Sequence, residues 1–417
     1  MSPSPSSEPR VVVVGAGHAG VQVADALRGN GHTGPITILG EEHHPPYQRP
    51  PLSKEQLAAE EVSDQPLRGR SHFAEHDIEL RTGVAATALD RRERAVALSD
   101  GGELRYDALV LATGADNRRL DVPGAELGGV HTLRTRTDAD SLRAALLEAS
   151  SVLVLGAGFI GLEFAAVARE QGKAVTVLEA AELPLTRALS PDAASHVAAA
   201  HRGAGTELRC GEPVSRLTGE NGRVSGAIGA SGTHYRADLV LAGIGVAPRV
   251  ELAERAGLEV ADGIVVDENL RTCDPAIYAI GDCANHPNAQ AGIRTRLESV
   301  QNAMDQARHV ASAVLGREGA YRDLPWFWSV QGDVRLQIAG LRMPGDDDVV
   351  LGDPADGRFS VCCFRDGRLV AVESVNRPAD HVAARRLLPA DRLPTPEDLD
   401  DPDFSLKGFA REVAAAR

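Results

Sequence analysis

The sequence of 417 residues has no apolar run of the roughly 18 residues that a transmembrane helix needs. Nor does it have an excess of basic residues, because its formal net charge is -15 at pH 7. That charge argues against a general nucleic-acid-binding protein and against a protein that coats anionic membranes. The N-terminal segment MSPSPSSEPR has no apolar core of the signal-peptide kind. We therefore expect a cytoplasmic protein with a short disordered tail at residues 1–9.

Paired cysteines are also missing. The cysteines are Cys210, Cys273, Cys283, Cys362 and Cys363, and none of them form a C-x-x-C or C-x-x-x-x-C motif. This spacing argues against a zinc ribbon and a redox-active dithiol, and we predict no metal site. Cys362 and Cys363 are adjacent in a predicted strand, so their side chains point to opposite faces and are poorly arranged as a redox pair.

Two or three domains are expected from a chain of this length. Its first clear element is RVVVVGAGHAGVQVADALRGNG, in which four valines predict a buried parallel strand and the following apolar spacing predicts a helix. The next strand, PITILGEE, ends in two acids. Together these segments predict a βαβ unit.

The same pattern returns as SVLVLGAGFIGLEFAAVAREQGKAVTVLEA, where Gly156 follows Gly15 by 141 residues. Strand, glycine turn, helix, strand and acid occur in the same order, so the chain is predicted to hold two dinucleotide-binding units. From about Tyr321 the texture changes, with PWFWS and a hairpin that turns at Asp366 and Gly367. We interpret residues 321–417 as a separate α+β domain.

Each predicted unit carries a G-x-G-x-x-G motif. Such glycines let the backbone turn tightly and approach a pyrophosphate, whose charge is met by free N–H groups at the helix N-terminus. An acid at the end of the next strand would bind ribose hydroxyls, and the candidates are Glu41 or Glu42 in the first unit and Glu179 in the second. A carboxylate at position 179 repels a 2′-phosphate, so NAD is favoured over NADP. Two nucleotide sites in one chain suggest a flavin and a nicotinamide cofactor, FAD and NAD(H), with hydride passing between them.

Further motifs resemble the flavin-dependent NADH:ferredoxin reductases of oxygenase systems, a family that includes putidaredoxin reductase, aromatic-ring dioxygenase reductases and, as close relatives, rubredoxin reductases. The motifs are YQRPPLSK, LATG, AIGDCA, RLESVQNA and PWFWS, and they occur in the family's order. The resemblance implies an α/β fold with two Rossmann-like domains of the glutathione-reductase type and a C-terminal α+β domain. The expected boundaries are 10–115 with 245–320 for the FAD-binding domain, 116–244 for the NAD-binding domain and 321–417 for the C-terminal domain.

The resemblance also implies roles for individual residues. Asp282, in the GD motif, would bind the ribityl or pyrophosphate part of FAD, although it could instead cap the following helix. Lys54, one of only three lysines, would lie near the flavin ring, and Glu163 near the nicotinamide carboxamide; these two are the predicted catalytic contacts. Glu298 would belong to a buried polar cluster, or else be a surface acid, and Trp326 would close over the flavin or the nicotinamide.

The full set of predicted cofactor contacts falls into two groups. For FAD they are Gly15, Gly17, Ala19, Gly20, Glu41, Glu42, Arg49, Lys54, Val84, Ala112, Thr113, Gly114, Gly281, Asp282, Glu298, Ser299, Val300 and Trp326. For NAD(H) they are Gly156, Gly158, Phe159, Ile160, Gly161, Glu163, Glu179 and Gly245. Cys283 lies beside Asp282 but has no partner cysteine, so we expect a packing role for it.

We therefore predict a cytoplasmic reductase, a monomer or homodimer, that passes hydride from NADH to FAD and single electrons to a [2Fe-2S] ferredoxin. The alternatives are a rubredoxin reductase, an NADH oxidase or diaphorase, and a redox-controlled interaction protein resembling apoptosis-inducing factor. An acidic ferredoxin would need a local basic face. The candidates for that face are Arg294, Arg296, Arg308, Arg322 and Arg335. The family motif commonly has an aspartate where this chain has Val330.

Overall fold

The computed structural model describes residues 8–58, 65–317 and 319–415. These residues form two compact units. The first contains 8–48, 65–116 and 247–323 apart from residue 318, and the second contains 49–58, 117–246 and 324–415. The predicted tail lies outside the described residues up to residue 7. In the described part of the chain, no helix is both long enough and apolar enough to span a bilayer.

The first unit is built on a five-stranded parallel sheet. Its strands run in the order Ile277–Ala279, Ala108–Leu111, Val11–Val14, Ile36–Gly40 and Ile78–Thr82. The valine strand lies at the centre and is buried throughout, as expected for a strand covered on both faces. Helix His18–Gly29 provides the crossover to the neighbouring strand, and it packs against helix Val300–Val314.

Smaller elements complete the first unit. Two three-stranded sheets contain Ala86–Asp90, Ala95–Leu98 and Glu103–Arg105, and Ile264–Val265, Ala284–Asn288 and Ile293–Thr295. The short helices are His72–Glu75 and Glu251–Arg255, with a 3-10 turn at Gly281–Cys283. Strands Ala115–Asn117 and Val246–Pro248 form a two-stranded sheet.

The second unit repeats the parallel architecture. Its sheet has the order Glu207–Arg209, Ala174–Leu178, Ser151–Leu155, Leu239–Ala242 and Val130–His131. Helix Phe159–Glu170 provides the first crossover, and helices Arg136–Glu148 and Pro191–Gly203 accompany the sheet. A three-stranded antiparallel sheet contains Val214–Glu220, Arg223–Gly229 and His234–Arg236.

Residues 49–58, which the sequence prediction placed in the FAD-binding domain, pack within the second unit. The prolines of RPPLSK begin the 3-10 helix Pro50–Ser53, and the short helix Glu55–Ala58 follows it. Both elements contact helices Arg136–Glu148 and Phe159–Glu170. This segment therefore brings Lys54 to the helix that starts at the second glycine loop.

The C-terminal part of the second unit is an antiparallel sheet covered by helices. The sheet order is Trp326–Gln331, Val334–Gly340, Arg368–Val375, Arg358–Arg365 and Asp347–Asp353. Helices Pro378–Leu387 and Leu406–Ala415 pack on each other, with 3-10 turns at Pro354–Asp356 and Glu397–Asp400. Positive φ angles at Asp366 and Gly367 form the tight hairpin turn that the sequence predicts.

Glu373 is a fully buried acid of this sheet. Its carboxylate accepts hydrogen bonds from the backbone N–H of Ser190, at 2.9 Å, and from the Ser190 hydroxyl, at 2.6 Å. Ser190 is the N-cap of helix Pro191–Gly203, so the acid also meets the positive end of a helix. Burial nevertheless raises the pKa of Glu373 to about 7, because desolvation outweighs these hydrogen bonds.

We expect the substitution Glu373→Gln to stabilise the protein more at pH 8 than at pH 5. A carboxyl whose pKa rises on folding contributes stability below its unfolded pKa, and this contribution is lost as the pH rises through about 7. The ionised acid should therefore cost on the order of 3 kcal/mol at pH 8. Urea unfolding of both proteins at the two pH values measures this difference. An equal effect of the substitution at pH 5 and pH 8 would contradict it.

Candidate active site

The first glycine loop joins the central valine strand to helix His18–Gly29. Gly15 has φ +114°, and a Cβ there would overlap the carbonyl oxygen of Ala112. A Cβ on Gly20 would overlap the carbonyl oxygen of Gly15. Gly17 differs, because no atom lies within 4 Å of the position that its Cβ would take. The loop is thus tight against the protein at its two ends and open in the middle, which fits a pyrophosphate on bare backbone.

The second glycine loop has the same construction in the second unit. Gly156 has φ +97°, and a Cβ would lie 2.6 Å from the carbonyl oxygen of Gly243. A Cβ on Gly161 would overlap the carbonyl oxygen of Gly156, whereas the nearest atom to a Cβ on Gly158 would be 4.0 Å away. Two separate stretches of the sequence therefore form the same kind of glycine loop at a helix N-terminus.

Glu179, the acid predicted to bind the second nucleotide, accepts hydrogen bonds from the protein backbone. Glu179 directly follows strand Ala174–Leu178 and accepts hydrogen bonds from the N–H groups of Ala157, at 2.6 Å, and Ala181, at 2.9 Å. Ala157 belongs to the glycine loop, so the carboxylate is fixed beside it. Each carboxylate oxygen has a second lone-pair site, so these bonds leave acceptor capacity for ribose hydroxyls.

The acids that follow the second strand of the first unit are both engaged. Glu41 forms an ion pair with Arg249, at 2.6 Å, and Glu42 accepts the hydroxyl of Tyr47, at 2.5 Å. Sequence reasoning missed Arg249, whose backbone oxygen also accepts the Thr113 hydroxyl at 2.7 Å. The only signal for it was the segment GIGVAPR, in which a basic residue follows a buried strand.

The GD motif lies where strand Ile277–Ala279 ends. The N–H of Gly281 donates to the side-chain oxygen of Gln306, at 2.7 Å, so helix Val300–Val314 orients the turn that carries Asp282. Cys283 is fully buried, and its Sγ lies 3.3 Å from the carbonyl oxygen of Ile280. Burial raises the pKa of this thiol, which keeps it protonated and unreactive.

RLESVQNA forms a loop and the start of helix Val300–Val314. Ser299 is the N-cap of this helix, and its hydroxyl accepts the N–H of Asn302 at 3.1 Å. The side chain of Glu298 is 43% exposed and pairs with Arg296 at 2.6 Å. This is the surface arrangement that the sequence left as an alternative to a buried polar cluster.

Lys54 and Glu163 form the most buried ion pair of the predicted site, with Nζ and Oε2 at 2.6 Å. Glu163 lies two residues after Gly161 and is only 3% exposed. Its carboxylate also accepts the hydroxyls of Ser53, at 2.5 Å, and Ser329, at 2.6 Å. These three donors stabilise a buried carboxylate that would otherwise be costly. Neither serine was among the predicted site residues, although Ser329 ends the motif PWFWS.

Other predicted contacts of the second unit lie on or beside the elements that carry Lys54, Glu163 and Ser329. Arg49 donates to the carbonyl oxygen of Arg134 at 2.7 Å. Ile160 is exposed in the first turn after the second loop, and the rings of Phe159 and Phe327 lie 4.5 Å apart. The Trp326 ring lies under the Arg385 guanidinium, at 4.1 Å. Gly245, also in the second unit, has φ +95°. The predicted FAD contacts Ala19, Val84, Ala112 and Gly114 lie in the first unit.

Comparison with known proteins decides the family. Residues 9–307 match the pyridine nucleotide-disulphide oxidoreductase family, and residues 326–410 match the reductase C-terminal family. The chain belongs to the pyridine nucleotide-disulphide oxidoreductases. This confirms the predicted α/β fold class, the oxidoreductase class, and FAD and a nicotinamide nucleotide as cofactors.

Individual pyridine nucleotide-disulphide oxidoreductases are similar over nearly the whole chain. Rhodocoxin reductase of Rhodococcus erythropolis is 47% identical, over 95% of this chain and 93% of that protein. Putidaredoxin reductase of Pseudomonas putida is 39% identical, over 98% and 97%. The crystal structure of the ferredoxin reductase for the CYP199A2 system from Rhodopseudomonas palustris has a TM-score of 0.94 at 44% identity, and the match covers 96% of this chain and 99% of that one. The predicted resemblance is thereby confirmed.

Proposed function

We propose that this protein is an NADH-dependent FAD reductase that delivers electrons to a small [2Fe-2S] ferredoxin serving an oxygenase or a cytochrome P450. The observation that carries the proposal is the pair of matching glycine loops, combined with a first helix, His18–Gly29, that contains no cysteine. A dithiol that would relay electrons to a disulfide is therefore absent from this helix, which supports a flavin that passes its electrons directly to the partner. The names of its relatives, rhodocoxin reductase and putidaredoxin reductase, support this direction.

Within this proposal Lys54 and Glu163 are the catalytic contacts. Bound FAD would supply the chemistry that accepts a hydride and releases electrons singly. Hydride transfer needs no general acid or base, so the task of the protein is to position the nicotinamide and to balance charge. Glu163 is suited to this because it follows the second loop directly and its carboxylate is fixed by three donors. The remaining predicted cofactor contacts belong to the same proposal.

Selectivity for NADH is assigned to Glu179. We expect Glu179→Ala to reduce the ratio of kcat/KM for NADH over NADPH at least about tenfold, because the substitution removes a carboxylate that repels a 2′-phosphate. Stopped-flow flavin reduction with each nucleotide measures this ratio. Glu182→Ala, three residues along the same loop, is the matched control. A wild-type protein that prefers NADPH would contradict the assignment.

Ion pairs within the protein reduce the number of arginines that could form the proposed basic face for an acidic ferredoxin. Arg296 is paired with Asp262 and Glu298, and Arg308 is paired with Asp305, so acids already compensate these two cations. The side chain of Arg294 donates to the carbonyl oxygens of Val266 and Asn285. In the part of the chain that the structure describes, Arg322 and Arg335 form no ion pair. These two are the better candidates.

We expect Arg322→Glu and Arg335→Glu each to raise the KM for ferredoxin on the order of tenfold at low ionic strength, because a repulsive charge replaces an attractive one. The effect should shrink as salt is added. Arg322→Lys and Arg335→Lys, which keep the positive charge, are the controls and should leave the KM nearly unchanged. An unchanged KM and salt dependence in both charge-reversal variants would remove these residues from the proposed face.

Cytochrome c reduction with NADH, with and without a [2Fe-2S] ferredoxin, tests the proposed function in steady state. Strong acceleration by the ferredoxin is expected. Acceleration by rubredoxin alone would favour a rubredoxin reductase, and fast turnover with oxygen or quinones would favour an oxidase or diaphorase. Slow turnover with every acceptor would favour a redox-controlled interaction protein.

A cytoplasmic location is part of the proposal, supported by the free thiols of all five cysteines.

A further inference from the structure

A chain of buried hydrogen bonds continues from Glu163 away from Lys54. The hydroxyl of Ser329 donates to Oε1 of Glu163 at 2.6 Å, and the side-chain nitrogen of Gln331 donates to the Ser329 hydroxyl at 3.2 Å. The side-chain oxygen of Gln331 lies 3.0 Å from Nε2 of His201. Ser329 is fully buried, and Gln331 and His201 are each 4% exposed. The side chains of this hydrogen-bond network are therefore almost completely shielded from solvent.

The groups at the two ends of this network determine which atom donates and which accepts in each hydrogen bond. An ionised carboxylate only accepts, so Ser329 must point its hydroxyl proton at Glu163 and must accept from the Gln331 amide. The amide oxygen then accepts, and Nε2 of His201 must carry a proton. Burial lowers the pKa of His201, which favours the neutral ring with its single proton placed on Nε2. Each donor is thus oriented by the next group along the chain.

The His201 end of this hydrogen-bond network lies on a helix that packs against the C-terminal sheet. His201 lies in the last turn of helix Pro191–Gly203. At the other end of this helix, Ser190 is held by Glu373 of the C-terminal sheet. Between them, the His196 ring packs edge-on against Phe359, with centroids 5.2 Å apart. The helix is therefore held to the sheet at its N-terminus and in its middle, which limits the movement of His201.

We infer that Gln331 and His201 are positioning residues, which hold the Ser329 hydroxyl on Glu163 and thereby fix the carboxylate that pairs with Lys54. Without Gln331, the Ser329 hydroxyl is free to rotate away, and Glu163 loses one of its three donors. The inference rests on the proposed function, in which Glu163 contacts the nicotinamide. A carboxylate misplaced by a fraction of an ångström would slow hydride transfer more than it would weaken NADH binding.

The test uses the FAD-loaded protein and anaerobic stopped-flow reduction by NADH, without ferredoxin. Gln331→Met keeps the volume of the side chain but removes both hydrogen bonds. We expect the limiting rate of flavin reduction to fall about tenfold, with the Kd for NADH changed by less than about twofold. His201→Phe should have a similar effect, and His201→Gln, which restores a donor near the Nε2 position, should recover most of the rate.

Ser374→Ala is the matched control. Ser374 is a fully buried serine of the same sheet, and its hydroxyl contacts Ser360 instead of the chain that ends at His201. Its rate should equal that of the wild type. If Gln331→Met does not fold with FAD, Ser329→Ala interrupts the chain with a smaller change of volume and should reduce the rate to a similar extent.

A double-mutant cycle separates positioning from general loosening of the fold. In a Glu163→Gln background, Gln331→Met should cause little further loss, because its effect passes through the carboxylate. Equal slowing in both backgrounds, or a wild-type rate in Gln331→Met and Ser329→Ala, would overturn the inference. Failure of the proposed function would show separately, as a wild-type protein whose flavin is reduced by NADH but which does not reduce ferredoxin.

Discussion

Gly17→Val is expected to lower the affinity for FAD at least about 100-fold, whereas Gly158→Val should leave FAD bound and lower the affinity for NADH to a similar extent. Both glycines have extended backbones with negative φ, of -84° and -80°, which valine adopts without strain. A Cβ at either position would lie no closer than 4.0 Å to another atom of the protein. The added side chains would therefore obstruct the nucleotide while leaving the fold intact.

Each of these variants is the control for the other. The FAD content after purification and titration of the apoprotein with FAD measure the first effect, and NADH titration under anaerobic conditions measures the second. Circular dichroism of both variants should match the wild type. If Gly17→Val retained FAD, or if Gly158→Val lost it, the assignment of the first loop to the flavin and the second to the nicotinamide would be wrong.

Lys54→Met is expected to slow flavin reduction by NADH about 100-fold and to destabilise the second unit on the order of 3 kcal/mol. The lysine side chain is 20% exposed and that of Glu163 only 4%, so the substitution leaves a buried carboxylate without its counter-charge. Glu163 would then take up a proton or draw in water, and the two serine hydroxyls alone would hold it less firmly.

The rate is measured by anaerobic stopped flow, and the stability by urea unfolding. Lys407→Met is the control, because Lys407 is an exposed lysine on a C-terminal helix. In Lys54→Met, removal of the acid as well, with Glu163→Gln, should recover much of the lost stability but not the rate. Normal reduction by NADH in Lys54→Met would show that the ion pair is structural only.

Local features of the fold could be predicted from the sequence because neighbouring residues determine them. The valine run before Gly15 must be a buried strand, and the glycine spacing must form a tight turn into a helix. The turn at Asp366 and Gly367 is equally local, since positive φ angles there suit few residues. The same reasoning found Glu179, whose position at a strand end follows from the βαβ unit.

Other features depend on contacts between residues that are distant in the chain. Ser53 and Ser329 both donate to Glu163, although 110 and 166 residues separate them from it. His201 and Gln331 are 130 residues apart. A serine or glutamine shows nothing in the sequence that distinguishes a buried network from a surface position. Packing of residues 49–58 in the second unit was equally unpredictable, because it depends on which helices the two short helical turns contact.

Electron delivery from NADH to a [2Fe-2S] ferredoxin is the central claim, and one anaerobic measurement tests it most directly. The protein is reduced with one equivalent of NADH and mixed in a stopped-flow instrument with excess oxidised [2Fe-2S] ferredoxin, while flavin and iron–sulfur absorbance are followed. We expect rapid flavin reoxidation with about two ferredoxins reduced per NADH, since a hydride carries two electrons and the cluster accepts one. A flavin that NADH reduces, but that leaves the ferredoxin oxidised, would contradict it.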